Sequence, residues 1–289
     1  MSPVAPPGAP VIVGVASVRD HTALAWAADE AARRRLPLRV VHSLETTSPP
    51  ASEADLLPSY EEWHRTLRTA ARRVLEEAQV FVRARRPEVH VSGLLAGSPA
   101  AAALQQEART ASMVVLGSGA ERHRRFHVAS VAQSVVAHAP CPVVVVREPE
   151  QTMQEPPHLV VGVDGGPGSR AAVDFAFEEA ALRRARLIAV CAWHPPVLGV
   201  LDEDLARQDA RTALAEATAG RAEAQPDVEV RHEVLRGHPV EVLVRESRHA
   251  LAVITGTRGR GGFTGMLLGS VSQGLLHHAQ CPVITVAGA

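Results

Sequence analysis

A chain of 289 residues, 46% hydrophobic and 21% charged, has room for one large domain or two ordinary ones and is too apolar to stay disordered. Its net charge of −1 argues against a general pull toward nucleic acid or anionic membrane. All 30 basic residues are arginine, which removes any chemistry that needs a lysine nucleophile, Schiff base or phosphate-binding lysine.

Met1–Pro10 is rich in Pro and Ala and lacks a basic region followed by a long apolar run, so no secretory leader is expected. Val11–Val15 reads as a strand. Thr22–Arg35 reads as a helix, apolar at three- and four-residue steps and arginine-rich at its end. Leu38–His42 is a strand and Tyr60–Arg85 a long helix, with Glu61, Glu62, Glu76 and Glu77 on its solvated face. Val89–Leu95 (strand), Pro99–Thr110 (helix), Met113–Leu116 (strand), Ser130–Ala139 (helix) and Val143–Val146 (strand) follow. Glu148–Pro157, rich in Pro, Glu and Gln, reads as a linker.

The pattern then repeats. Val11–Val15 returns as Leu159–Val163, Trp26–Ala32 as Phe175–Ala181, and Leu38–His42 as Leu187–Cys191. Gly97-Ser98-Pro99 returns as Gly237-His238-Pro239, Val114–Gly117 as Val253–Gly256, and Cys141–Val145 as Cys281–Thr285. Matched blocks in one order imply two duplicated domains, residues 9–147 and 158–288. Alternating strands and helices predict, in each, a five-stranded parallel α/β sheet with helices on both faces. The apolar last strands, Val143–Val146 and Val283–Val286, lie at sheet edges and are expected to cover each other by antiparallel pairing. No apolar run approaches the roughly 20 residues of a membrane span. The three cysteines are too few for a disulfide framework and read as buried thiols, so the expected compartment is the cytoplasm.

In such sheets ligands bind beyond the C-terminal ends of the strands, where strand order reverses. Asp164 stands there, directly after a strand, although with Gly165 and Gly166 it could also simply form a turn. Ala192 ends the next strand; beside it, Cys191 reads as packing. The most informative stretch is Gly256-Thr257-Arg258-Gly259, nine residues, then Gly269-Ser270-Val271-Ser272. Gly256 and Gly259 can take positive φ and admit close backbone approach. Gly269 and Ser270 open a helix whose free N–H groups favour an anion, and the Ser270 and Ser272 hydroxyls add donors. Arg258 and Arg260 are either phosphate contacts or solvated loop charges. A di- or triphosphate is the expected ligand. Without Lys this is not the common phosphate loop; Thr264 breaks the dinucleotide fingerprint and Ser270 the nucleophile elbow. His277 and His278 have no second pair at metal spacing.

The Gly-x2-Gly-x9-Gly-Ser spacing at Gly256, Gly259, Gly269 and Ser270, with Asp164 after the first strand, resembles the ATP-binding members of the universal stress protein family. The resemblance runs nearly the whole chain twice. It implies that Val163, Asp164 and Ala192 surround the adenosine while the glycine loop and Ser270-Val271-Ser272 hold the phosphates. It also implies an intrachain pseudo-dimer built on the two last strands, and leaves a homodimer of chains and a protein partner open. The first repeat departs from the pattern: Ala16 replaces Asp164, Ala120 and Ala129 replace two glycines, the loop is one residue shorter, and Ala132 replaces Ser272. It is therefore expected to bind ATP weakly or not at all, and its basic Arg122-His123-Arg124-Arg125 reads as surface charge. The expected function is an ATP-holding stress or dormancy regulator, with Mg²⁺ as the default companion of ATP, and not a classical enzyme. The alternatives are a slow ATPase, an adenylating enzyme, or a nucleotide-free scaffold or small-molecule sensor.

Overall fold

The computed structural model describes residues 6, 8–17, 21–44, 60–118, 125–147, 149–150, 156–193, 203–259 and 268–288. The chain divides into two compact units, residues 5–135 and residues 136–289 together with 1–4.

The first unit contains β1 (Val11–Gly14), α1 (His21–Arg34), β2 (Leu38–Ser43), α2 (Tyr60–Arg85), β3 (Val91–Ala96), α3 (Ala100–Ala108), β4 (Met113–Gly117) and most of α4 (Arg125–His138). Its strands run parallel in the order β3-β2-β1-β4. The second unit contains β5 (Val143–Val146), β6 (His158–Gly162), α5 (Pro167–Arg183), β7 (Arg186–Trp193), α6 (Glu203–Ala224), β8 (Val230–Arg236), α7 (Pro239–Glu246), β9 (Val253–Gly256), α8 (Ser270–His278) and β10 (Val283–Val286). Here β10-β9-β6-β7-β8 are parallel, the five-stranded arrangement that the repeat predicts. Strand β5 adds antiparallel to β10, pairing Val145 with Val283, Val144 with Ile284 and Val143 with Thr285. This is the pairing expected of two apolar edges, and the Thr285 hydroxyl adds a 3.2 Å bond to the Val143 carbonyl.

The strands are buried on both sides because they are continuously apolar: Val11–Val13, Leu159–Val161 and Val253–Ile254 are fully enclosed. Helices α1 and α5 turn stripes of small residues to the sheet, Ala23, Ala27 and Ala31 in one, Ala172, Ala176 and Ala180 in the other. Each stripe carries one buried acid at a matched position. Glu30 is paired with Arg33 and Arg34, and Glu179 with Arg183, which also reaches Glu150 of the linker. Each helix ends in a left-handed arginine, Arg35 (φ 56°) and Arg184 (φ 51°). Around each, the chain doubles back: Leu36 N–H bonds the Ala31 carbonyl and Ala185 N–H the Ala180 carbonyl, both at 2.9 Å.

Candidate functional site at the ends of β6 and β9

In the second unit the order β10-β9-β6-β7-β8 reverses direction between β6 and β9, which makes the ends of these two strands the place where such sheets bind ligands. Asp164 follows β6 on one side. Its Oδ1 accepts a 2.8 Å bond from the Gly166 N–H, closing a turn in which Gly165 has φ 75°. Its Oδ2 faces Gly259: a Cβ built on that glycine would lie 2.6 Å from the carboxylate oxygen. The turn-forming and site-forming readings of Asp164 are thus compatible, since one oxygen fixes the turn and the other points at the glycine loop.

The other side is the exit of β9. Here the glycines serve close approach, and not positive φ as expected for Gly256 and Gly259; the left-handed glycines among the described residues are Gly8, Gly165 and Gly237. The reason is visible in their contacts. A Cβ on Gly256 would sit 2.6 Å from the Gly168 carbonyl oxygen, and one on Gly168 would sit 2.2 Å from the Arg258 carbonyl oxygen. Backbone therefore lies on backbone, and no side-chain rotation relieves an added methyl. Gly168 was not singled out from the motif, yet a signal was present. Glycine is a weaker helix former than alanine, so one inside a helix calls for a packing reason.

Helix α8 starts at the same strand exit. Gly269 caps its N-terminus without a side-chain hydrogen bond, and its own N–H bonds the Thr257 carbonyl at 2.9 Å. The first turn, Ser270-Val271-Ser272, presents the N–H groups that a helix leaves without internal partners. Ser270 is exposed and Val271 half-buried. Ser272 is buried, and its hydroxyl donates 2.7 Å to the Gly256 carbonyl, so it ties the helix start to the strand exit. Thr257 N–H bonds Val286 at 3.0 Å and fixes the same exit to β10. Arg258 is exposed; Arg260 lies outside the described residues. Val163 is buried behind Asp164, with its N–H on the Val190 carbonyl at 2.8 Å, and Ala192 pairs with Leu235 on the neighbouring strand end. Val163, Asp164, Gly256, Arg258, Gly259, Gly269, Ser270, Val271 and Ser272 thus lie along the ends of β6 and β9 and the start of α8. Ala192 lies one strand further along, at the end of β7.

The residue types fit a polyphosphate nucleotide: a carboxylate for hydroxyls, a glycine-rich strand exit, and an N-terminal helix turn for phosphate oxygens. The first unit offers less at the matching place. Ala16 is exposed where Asp164 stands. His42 Nδ1 lies 2.8 Å from the Val15 carbonyl, and Ser43 donates 2.6 Å to the Ser98 carbonyl, so polar groups there bond one another. Ala132 is buried in place of Ser272. Ala120 and Arg122–Arg124, and the side chains of Arg125 and Ala129, lie outside the described residues.

Cys141, Cys191 and Cys281 are buried and form no disulfide among the described residues, and burial pushes the Cys141 and Cys281 thiols up to about 12. Among the described residues no His, Cys, Asp or Glu cluster is suited to a metal, and no helix is long and apolar enough to cross a membrane.

A family model described as "Universal stress protein family" matches residues 9–147 and again 157–287. A universal stress protein of Mycobacterium tuberculosis is 38% identical over 288 residues, covering 95% of both chains. One of Mycolicibacterium smegmatis is 34% identical over 291 residues, covering 96% of both. Among solved structures, a universal stress protein of Archaeoglobus fulgidus superposes with a TM-score of 0.71 at 15% identity, covering 98% of this chain and 97% of that one, a likeness of fold.

Proposed function

The chain belongs to the universal stress protein family, twice over in tandem, and on that premise we propose that its second repeat holds one ATP and that occupancy, not turnover, is the output. The observation that carries the proposal is the convergence of Asp164 on Gly259 beside the Gly168–Gly256 backbone contact. On this reading phosphate oxygens meet the N–H groups of the first turn of α8 instead of side-chain bases. Val163, Asp164 and Ala192 take the adenosine side. Gly256, Arg258, Gly259, Gly269, Ser270 and Val271 take the phosphate side, with Ser272 holding the loop to the helix. Mg²⁺ would accompany the phosphates. No nucleophile, base and orienting acid converge among the described residues of the site, which favours holding. The first repeat, residues 9–147, is the weak or non-binding partner of the second, residues 158–288. The protein acts in the cytoplasm as a stress or dormancy regulator.

The test is to purify the full chain, denature it and assay the released nucleotide. About one ATP per chain supports the proposal. Nucleotide-free protein that also fails to bind added ATP contradicts it, and release of AMP with pyrophosphate would make the protein an adenylating enzyme.

A further inference from the structure

A second site, independent of the ATP reading, lies between α6 and the edge strand β8. Helix α6 carries Arg207, Arg211, Leu214 and Thr218 at steps that share one face. Ala210, Leu214 and Thr218 are buried, and toward the helix start Arg207 and Arg211 flank this core-facing stripe. On β8 the period of two sets His232, Val234 and Arg236 on one side. A cavity of about 350 Å³ opens here, lined by Arg207, Arg211, Leu214, His232 and Val234. Its rim is organised around buried Trp193, with the Arg207 guanidinium carbon 5.9 Å and that of Arg236 5.7 Å from the indole centroid. His232 Nε2 is 2.8 Å from the Thr218 hydroxyl, which fixes the ring.

Among the described residues these charges are not balanced by tight pairs. Arg207 reaches Asp204 only at 4.0 Å, and Arg236 reaches Glu203 at 3.5 Å. Arg211 meets no carboxylate among the described residues. The first repeat carries the same helical spacing, with Arg68, Arg72 and Leu75 where α6 has Arg207, Arg211 and Leu214. Register places Gly93 where β8 has His232, since Val91 pairs with Leu38 as Val230 pairs with Leu187. Gln79 of α2 fills the space there: its amide nitrogen lies 2.7 Å from where a Cβ on Gly93 would be. The two repeats thus differ on the strand side, where His232 stands in place of Gly93.

We propose that this groove binds a compact multivalent anion bearing carboxylate or phosphoryl oxygens. Arg207 and Arg211 clasp the oxygens with their planar guanidinium forks, and Leu214 and Val234 form the apolar floor. The volume lies in the lower range of small-molecule sites. Two probes separate the oxygen types, citrate and inorganic pyrophosphate, titrated calorimetrically into the full chain and into its Asp164→Ala variant. Binding of at least one below about 1 mM is expected. Arg207→Gln/Arg211→Gln should weaken it about tenfold or more with Tm unchanged, and Asp164→Ala should leave it intact. Arg211→Gln alone, at an exposed side chain, should show a smaller loss in the same direction. Binding of neither probe, or binding that survives the double substitution, overturns the proposal.

Discussion

Replacing Gly259 by alanine tests the site at its tightest side-chain contact. The new Cβ would stand 2.6 Å from Asp164 Oδ2. A close C···O contact is about 3.3 Å, so the carboxylate must retreat by roughly 0.7 Å. That retreat disturbs the 2.8 Å bond from the Gly166 N–H to Oδ1 and turns the carboxylate away from the nucleoside position. A hydrogen bond to a charged group is worth about 1.5–3 kcal/mol, so ATP affinity should fall about 10- to 150-fold. The fold should survive, because Asp164 can rotate and Gly259 is exposed. A Tm change of no more than about 4 °C is expected for a unit of this size. Calorimetric titration of ATP into Gly259→Ala, Asp164→Ala and the double variant completes a cycle. If the methyl acts by displacing the carboxylate, the double variant binds no more weakly than Asp164→Ala alone. Unchanged affinity in Gly259→Ala, or full additivity of the two losses, would refute the reasoning.

The remaining predictions concern the framework. Gly168→Ala, whose Cβ would meet the Arg258 carbonyl oxygen at 2.2 Å, has no side chain to push aside and should lower both Tm and ATP affinity, unlike Gly259→Ala. Arg35→Gly and Arg184→Gly remove left-handed strain of about 1 kcal/mol each and should raise the urea midpoint, whereas a lower midpoint would contradict the helix-end assignment. Cys141 and Cys281, with thiols pushed up to about 12, should resist a thiol reagent at pH 8 in the native chain and react on denaturation. Burial lowers the His158 imidazole below its ordinary 6.5, and the His249 and Arg186 charges push the same way, against a Pro156 backbone bond and the Glu246 charge. The unfolded chain therefore takes up a proton that the folded chain refuses, and stability present above pH 6.5 is lost as pH falls through that value. Melting curves between about pH 7 and 5 should show the unmodified protein losing stability that His158→Gln keeps; parallel curves would contradict this.

Much of this was legible in the chain. Val143–Val146 and Val283–Val286 could be bounded to the residue because an uninterrupted apolar run leaves no choice of face, and their edge position implied the pairing that is observed. The start of α4 was less legible. The helix begins at Arg125, five residues before Ser130. At the site, spacing located the glycines but not which of their two freedoms is used. Positive φ and missing Cβ leave the same letter in the sequence, and contacts with residues far along the chain decide between them. Gly168 shows the same limit, since its neighbours Gly256, Arg258 and Gly288 are brought to it only by the sheet. Ser272 read as a ligand donor because its burial, and hence its bond to Gly256, depends on how α8 sits over β9.

The measurement that bears most directly on the whole account is a crystal structure of the full chain grown with excess ATP and Mg²⁺. One nucleotide is expected, its phosphates over Gly256–Gly259 and the first turn of α8 and its sugar beside Asp164, with the matching place near Ala16 and His42 left without one. An empty site in the second repeat, or a nucleotide seated in the first, would contradict it.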